Sequence, residues 1–442
     1  MRFIITSWRG LLFLVLLMGI NALLWFSAAS DITQTFDSTM MQMMASNIII
    51  VLTFNFFLAT KNPLVNWLFQ GLENVYLMHR LLAFIVLIMI FLHSQNTHLI
   101  IQDFNPNLFV EAGPMGPWAR NLLIFLIVLA LLANYMKYEH FRLLHRLMII
   151  PYLMAVYHAF FISSYELMAF SFLGIFMMAL VLTGISSSVY MMLLYRKHAF
   201  KYQGTIENIS HPADDVTELE VKMHQAYAFK TGQFAFVKID KAPFNASPHP
   251  FSISGVKNGH IYFTIKALGD FTQDIKTHIK ESDTITLTKP FGHMTFDDYP
   301  NKQVWLAGGI GITPFLSHLR SQSDIKQDIT LYYSVKQKKE AVHLPYLTSL
   351  AQKYPNFTLK FSESDKDGFL NLDKIDLKDN PTVFLCGPVP MAKALKKAFR
   401  KTDQHQAFVF EAFSFTGTLA QDIEGLIKRL YRKLKAKKNT AK

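Results

Sequence analysis

The hydrophobic positions of this chain fall into two regimes. Up to about residue 195 they form six long apolar stretches, at about 10–28, 43–60, 77–97, 119–136, 143–164 and 167–195, each close to the ~20 residues a helix needs to cross ~30 Å of hydrocarbon. From Lys201 they shorten to alternating runs such as Gly204–Ile209, Val216–Met223 and His260–Lys266, with turn residues between them, the period of strands buried on one face. The pattern predicts an all-α membrane bundle of six helices followed by a water-soluble half. The second stretch is the weakest span, because Asn47 and Asn55 interrupt it and suit an interfacial helix as well.

Lysine and arginine placement orients the helices. Arg2 and Arg9 precede the first, Lys61 follows the second, Arg80 opens the third, Lys137, Arg142 and Arg146 separate the fourth and fifth, and Arg196, Lys197 and Lys201 follow the sixth. In a six-helix arrangement all of these share one side. The opposite loops carry Asp31, Asp37, Asp103, Glu111 and Glu166, with Arg120 the only basic residue assigned there. The N-terminus and the C-terminal half are therefore expected in the cytoplasm, in a multi-pass protein of the cell membrane. A competing reading makes the first stretch a cleavable signal peptide, with Arg2 and Arg9 before it and Ala28-Ala29-Ser30 after it. The other five helices keep their orientation under either reading.

Composition sharpens this picture. The 442 residues are 51% hydrophobic with a mean hydropathy of +0.21, which is high for a soluble protein and leaves room for two or three domains. The net charge of +12 gathers beside the spans and at the C-terminus, where it suits an anionic membrane surface or phosphorylated ligands. No nucleic-acid motif accompanies it, so no nucleic acid is expected. The lone cysteine, Cys386, excludes an intramolecular disulfide and any multi-cysteine metal site, in keeping with a reducing cytoplasm.

Four histidines carry the chemistry of the membrane half: His79 and His93 on the third stretch, His145 and His158 on the fifth. Ionisable residues inside spans are costly and face the bundle interior, and imidazole is an axial ligand of haem iron. His79 and His93 are 14 residues apart, a rise of about 21 Å and about 40° short of four turns, so they share a face. His145 and His158 are 13 apart, which on an ideal helix turns them ~140° away from each other. Pro151 between them is expected to break that ideal geometry. Equal depth pairs His79 with His145 and His93 with His158, as two stacked haems would require. The bland reading is a set of interior histidines bonded to backbone carbonyls, and His140 rivals His145 because it shares a face with His158. Lys61, Arg80, Arg142 and Arg146 would neutralise haem propionates, or serve only as positive-inside residues.

The soluble half reads as a small antiparallel barrel over 201–298 and a parallel α/β domain over 299–415. The barrel holds Gly232-Gln233-Phe234, then His249-Pro250-Phe251-Ser252-Ile253-Ser254, then Lys266 before Gly269-Asp270-Phe271-Thr272, then Lys289-Pro290-Phe291-Gly292. Ser252 and the rigid prolyl edge can meet a flat heterocycle, and Thr272 can cap a helix whose N-terminal amides suit a pyrophosphate. In the second domain, strand Gln303–Ala307 runs into Gly308-Gly309-Ile310-Gly311-Ile312-Thr313-Pro314 and a helix. Glycines there let backbone approach a phosphate, although a tight structural turn reads the same. Strand Ile329–Ser334 precedes Lys336, Lys338 and Lys339, with Glu340 the one nearby acid; strand Thr382–Leu385 runs into Cys386-Gly387-Pro388.

These residues together resemble a known family. The soluble half resembles the ferredoxin–NADP reductase superfamily, and its union with the four histidines resembles the ferric reductase and NADPH oxidase family. The resemblance implies FAD at His249–Ser254, nicotinamide dinucleotide at Gly308–Phe315 and Cys386–Pro388, and two haem b groups on the histidine pairs. It also implies that Phe413, in Glu411-Ala412-Phe413-Ser414-Phe415, approaches the flavin, and it makes Cys386 and Phe413 the candidates nearest the reaction. Two departures stand out. Lys289 occupies a place where relatives often have a small residue, and residues 416–442 continue past the family's usual end. That tail has a capping box at Thr418 and Gln421, apolar Leu419, Ile423, Leu426, Leu430 and Leu434 on one face, and eight Lys or Arg from Lys428 to Lys442. It reads either as a basic amphipathic helix on the membrane or as a solvated tail.

The expected function is electron transfer from NAD(P)H through FAD and two haems to a small acceptor across the membrane. Dioxygen giving superoxide is expected as that acceptor, because the outer loops hold no His or Cys cluster to gather metal and His98 stands alone. The alternatives are a ferric or cupric chelate reductase, delivery to quinone or a protein, and a non-catalytic haem-binding membrane module. NADPH is expected over NADH, since Lys336 and Lys338 follow the strand where the adenosine ribose sits and a 2′-phosphate calls for cations.

Overall fold

The computed structural model describes residues 2–29, 35–99, 111–132, 136, 138–163, 167–168, 170–244, 248–299, 302–399 and 408–411. They fall into two compact units, one within 1–196 and the other within 197–415. Phe413, Lys137 and the tail 416–442 lie outside the described residues.

The first unit is helical. Its helices are α1 (Arg2–Ala29), α2 (Phe36–Ala59), the short α3 (Pro63–Phe69), α4 (Leu72–Gln95), α5 (Met115–Leu131), α6 (Tyr138–Arg146), α7 (Ile149–Ile162) and α8 (Phe172–Val189). A π turn, Tyr190–Leu194, carries α8 on into Tyr195–Ala199. Among the described residues five stretches are long and apolar enough to cross a membrane, namely Trp8–Ala29, Phe36–Ala59, Asn74–Gln95, His140–Ile162 and Phe172–Ala199, and Met115–Leu131 is a shorter apolar helix.

The second apolar stretch is the most enclosed, not the most peripheral. Its window is 67% buried, against 11–39% for the other four. Several of its polar residues are bonded inside the bundle: the Asn21 amide donates to Ser46 Oγ at 2.7 Å and to Asn47 Oδ1 at 3.1 Å, and Trp25 Nε1 donates to Ser46 Oγ at 2.8 Å. Thr53 and Tyr152 share a hydrogen bond of 2.7 Å. Polar side chains in an apolar medium bond across helices because no water competes for them. An interfacial helix would have left these groups to water.

The fifth stretch is two helices. The chain turns at Leu147 and Met148, where Leu147 N–H reaches Leu144 O at 3.0 Å and Ile150 N–H reaches Leu147 O at 2.9 Å. Pro151 falls in the first turn of α7, where its missing N–H costs little. The break therefore precedes the proline instead of lying at it.

The second unit has two sheets. A seven-stranded sheet, entirely antiparallel, joins β1 (Tyr202–Ala213), β2 (Val216–Met223), β3 (Phe234–Ile239), β4 (His249–Ser252), β5 (Gly255–Lys257), β6 (His260–Lys266) and β7 (Thr284–Leu287) in the order β4-β3-β7-β1-β2-β6-β5. Helix α9 (Asp270–His278) follows β6. A parallel five-stranded sheet joins β8 (Lys302–Gly308), β9 (Asp328–Val335), β10 (Phe357–Glu363), β11 (Thr382–Cys386) and β12 (Phe408–Glu411) in the order β10-β9-β8-β11-β12. Helices α10 (Thr313–Ser321), α11 (Leu344–Lys353) and α12 (Val389–Phe399) connect its strands. Strand order reverses between β8 and β11, the place where ligands enter such sheets at the carboxyl ends of the strands.

Candidate functional site

In the helical unit, α4 carries His79 and His93, α6 carries His145 and α7 carries His158. The rings of His79 and His145 meet edge to face, with centroids 5.9 Å apart and planes at 65°, and Phe141 stacks on His145 at 5.2 Å. Two metal–imidazole bonds of about 2.0–2.1 Å, with about 1 Å from each nitrogen to its ring centre, span about 6 Å. The gap thus fits one ion between the two rings. The turn at Leu147 and Met148 is what lets His145 and His158 serve the same interior despite their unfavourable spacing. His140, the rival candidate, is exposed.

The other pair is held differently. His158 Nδ1 lies 3.0 Å from Ala112 O; a carbonyl only accepts, so Nδ1 carries the proton and Nε2 keeps its lone pair. Gly116 packs on the same ring, for a Cβ there would lie 2.7–2.9 Å from three of its atoms. His93 is close enough to His158 to interact electrostatically. An open cavity of about 650 Å³ is lined by Glu111, Met115, Leu153, Met154 and Tyr157, the last two being neighbours of His158 on α7. Among the described residues the buried Nδ1 atom of His145 has no hydrogen-bond partner, whereas the rings of His79 and His93 approach the backbone of Asn55 and Met41. A buried polar atom is normally bonded, and a metal-bound histidine commonly gives its other ring N–H to a backbone carbonyl, so these residues fit a group that uses imidazole as a ligand.

In the antiparallel sheet, His249, Pro250, Phe251 and Ser252 form β4, paired with β3 through Val237↔His249 and Phe234↔Ser252. β4 is an edge strand, which is where a proline without an N–H is tolerated. The His249 ring stacks on Phe271 at 3.8 Å and 19°, with Phe251 parallel to the same ring at 6.2 Å. Among the described residues Ser252 Oγ is buried without a partner, an orphan that a flavin atom would satisfy. Ile253 and Ser254 are wholly buried. Gly269, not Thr272, is the N-cap of α9; Thr272 Oγ1 accepts from Leu268 N at 2.8 Å and Gly269 N at 3.0 Å. Its hydroxyl is spent on shaping the turn, because those backbone amides have no partner within the helix. Lys266 is likewise engaged, with Glu340 at 2.9 Å and Asp215 at 3.2 Å. Burial opposes its charge, but the two carboxylates outweigh this and hold its pKa above the usual value.

At the reversal of the parallel sheet, the loops after β8 and β11 meet backbone to backbone. A Cβ on Gly308 would lie 2.6 Å from Met391 Sδ and 2.7 Å from Pro388 Cδ, one on Gly311 would lie 2.4 Å from Cys386 O, and one on Gly387 would lie 3.1 Å from Gly308 Cα. These three glycines are packing residues. Gly309 differs, with φ +54 and, among the described residues, nothing within 4 Å of its Cβ position, so a phosphate could approach it. Thr313 Oγ1 bonds Ile310 O at 3.0 Å and Pro314 opens α10. The Cys386 side chain is fully buried in the core; what its segment turns toward the glycine loop is backbone. Lys336 and Lys338 are exposed at the end of β9. The sequence reading missed their acidic neighbours: Glu363, which accepts from Lys338 N at 2.8 Å, and Asp365, whose N–H bonds Lys336 O at 3.3 Å. Both come from the adjacent strand β10 and its extension, distant in sequence.

Comparison with known proteins follows the same division. Residues 45–156 match the model of a ferric reductase like transmembrane component, and residues 201–388 match that of an FAD-binding domain. The electron transfer component of toluate 1,2-dioxygenase from Pseudomonas putida is 25% identical over 236 residues, covering 48% of this chain and 68% of that protein. The reductase component of the naphthalene 1,2-dioxygenase system from Pseudomonas putida is 26% identical over 211 residues, covering 44% and 62%. Among solved structures, a ferredoxin–NADP+ reductase from Plasmodium falciparum aligns at 19% identity and TM-score 0.41, over 48% of this chain and 95% of that one.

Proposed function

We propose, for a chain that matches the ferric reductase and NADPH oxidase-like family in both its transmembrane and its FAD-binding parts, that it carries electrons from NADPH through FAD and two haem b groups to dioxygen across the membrane. The chain is an oxidoreductase with a membrane part and a reductase part that binds FAD and NAD(P)H.

Flavin, when bound, takes a hydride from the nicotinamide and releases its electrons singly, as haem iron requires. The rest is positioning by the chain. His249, Phe251 and Phe271 would flank the flavin, with the Ser252 hydroxyl bonded to it. Gly309 would give the dinucleotide phosphates access to the loop before α10, and Lys336 and Lys338 would hold the 2′-phosphate. Phe413 would close the flavin site, while Cys386 supports the glycine loop from beneath. In the membrane, His79 with His145 would ligate the haem nearer the cytoplasm, and His93 with His158 the other. Each pair of imidazoles would hold one haem, which would supply single-electron transfer to the acceptor. The N-terminus and the reductase part are cytoplasmic in this reading, because Lys and Arg cluster on their side of the spans.

The observation that supports this most is the edge-to-face pair of His79 and His145, with ring centroids 5.9 Å apart. The test is NADPH oxidation by the purified protein in detergent, with oxygen, a ferric chelate or a cupric chelate as acceptor. Superoxide in proportion to NADPH consumed supports the oxygen reading. Turnover only with a metal chelate replaces it with a metal reductase, and no turnover with any acceptor rejects the function.

A further inference from the structure

One buried ionic cluster joins the two sheets of the reductase unit outside the motifs discussed so far. Glu218 on β2, with a side chain only 10% exposed, meets Arg320 of α10 through Nη1 at 2.8 Å and Nη2 at 3.4 Å, and His343 Nε2 at 2.9 Å. The Thr264 hydroxyl stands 2.6 Å from the same carboxylate and 2.8 Å from the Ser254 hydroxyl. Thr264 has one proton to give and an ionised carboxylate only accepts. Thr264 therefore donates to Glu218, and Ser254 donates to Thr264. Burial opposes the charge on Glu218, but hydrogen bonds from His343 and Arg320 outweigh it and pull its pKa down to about 2. A continuous line of polar contacts thus runs from Arg320 to the last residue of the flavin motif.

Helix α10 spans the distance between the two cofactor motifs. Its first turn, Thr313 and Pro314, directly follows the glycine loop. Its last residues rest on the strand that directly follows the flavin motif: a Cβ on Gly255 would lie 2.9 Å from Arg320 Cβ, and Val256 N–H donates to Ser321 Oγ at 3.3 Å. With nine residues, it is a stiff strut about 13 Å long.

We propose that Glu218 is a positioning residue for hydride transfer: by clamping Arg320 it fixes α10, and with it the Gly308–Gly311 loop, at a set distance and angle from His249–Ser254. The proposal rests on the reading above that these two motifs hold the dinucleotide and the flavin. Reacting atoms displaced by about 1 Å can lose ~100-fold in rate, so small shifts of this strut matter. Removing the carboxylate charge leaves Arg320 uncompensated in a buried place. The Lys266–Glu340 pair bridges the same two sheets and keeps them joined when Glu218 changes.

The test is stopped-flow reduction of the flavin by NADPH in the full-length, cofactor-loaded protein, comparing wild type with Glu218→Gln. The flavin-reduction rate constant is expected to fall about tenfold or more, with the NADPH dissociation constant within about twofold and FAD content unchanged. Haem reduction by dithionite should be untouched. A rate within about twofold of wild type overturns the proposal, as does a loss explained wholly by missing FAD or weaker NADPH binding. Should Glu218→Gln not accumulate, Arg320→Lys keeps the cation but loses the two-pronged contact, and the same outcomes apply. A wild-type flavin that NADPH does not reduce overturns the functional reading together with the proposal, whereas normal reduction in the variant overturns the proposal alone.

Discussion

Gly311 and Gly309 sit two residues apart in one loop, yet they should respond to alanine in opposite ways. At Gly311 the added Cβ would lie 2.4 Å from Cys386 O and 2.6 Å from Cys386 C. Both are backbone atoms of a central strand, so no side chain can swing aside. Relief needs nearly 1 Å of separation between the loops after β8 and β11, and overpacking of that kind costs about 1–3 kcal/mol, here toward the upper end. For a unit of this size, about 3 kcal/mol corresponds to roughly 6–12 °C in Tm. At Gly309 no described residue stands within 4 Å and φ is +54, so alanine costs the left-handed backbone, about 1 kcal/mol or roughly 2–4 °C. The penalty at Gly309 falls instead on nucleotide access. Gly309→Ala should raise the NADPH KM about tenfold or more, as lost backbone approach to a phosphate implies. Flavin-release melting of the full-length protein and steady-state kinetics measure both effects. A Gly311→Ala protein as stable as wild type, or a Gly309→Ala protein with an unchanged NADPH KM, refutes the division of the loop into packing and binding glycines.

His79→Ala or His145→Ala should remove one haem and His93→Ala or His158→Ala the other, halving the haem content by pyridine haemochrome assay; two haems retained in any of these would undo the ligand assignment. Lys336→Glu with Lys338→Glu should raise the KM for NADPH severalfold and leave that for NADH nearly unchanged, because cations serve the 2′-phosphate alone; equal weakening of both nucleotides argues that these lysines do not read it. Glu218 contributes about 3 kcal/mol at neutral pH, since folding lowers its pKa from the usual 4.5 to about 2. That stability is fully present above pH ~4.5 and is lost as the pH falls toward 2, so wild-type resistance to flavin release should fall steeply across that window; Glu218→Gln should flatten the dependence there, and an equally steep dependence in the variant would contradict the assignment.

What the sequence made legible was the chemistry that depends on local pattern. The apolar stretches, the four histidines, the strand of His249–Ser254 and the two glycine turns were all readable because helix and strand periods and turn residues are short-range signals. The pairing of His145 with His79 was readable only by depth, since the helical spacing argued against it. The turn at Leu147 has no proline or glycine to announce it, and Pro151 drew attention three residues too late. Asn47 looked interfacial because hydropathy cannot distinguish an asparagine facing water from one bonded to Asn21. Glu218 was invisible for a related reason: on β2 it lies on the face opposite Leu219 and Val221, and alternation gives no sign that another sheet's helix covers that face. Glu363 and Asp365 came beside Lys336 and Lys338 only through the parallel pairing of β9 with β10. The roles of Gly308 and Gly311 also required coordinates, because a phosphate-binding turn and a tightly packed one look alike in sequence.

The central claim is that one chain links NADPH to haem through flavin. It is tested most directly by the anaerobic absorbance spectrum of the purified full-length protein before and after NADPH, with no other acceptor present. The account predicts a flavin envelope that bleaches and a b-type haem spectrum that converts to the reduced form, with two haems per chain reduced by excess NADPH. A preparation with a full complement of FAD and haem whose flavin bleaches while its haem stays oxidised, or one that binds no haem at all, would contradict it.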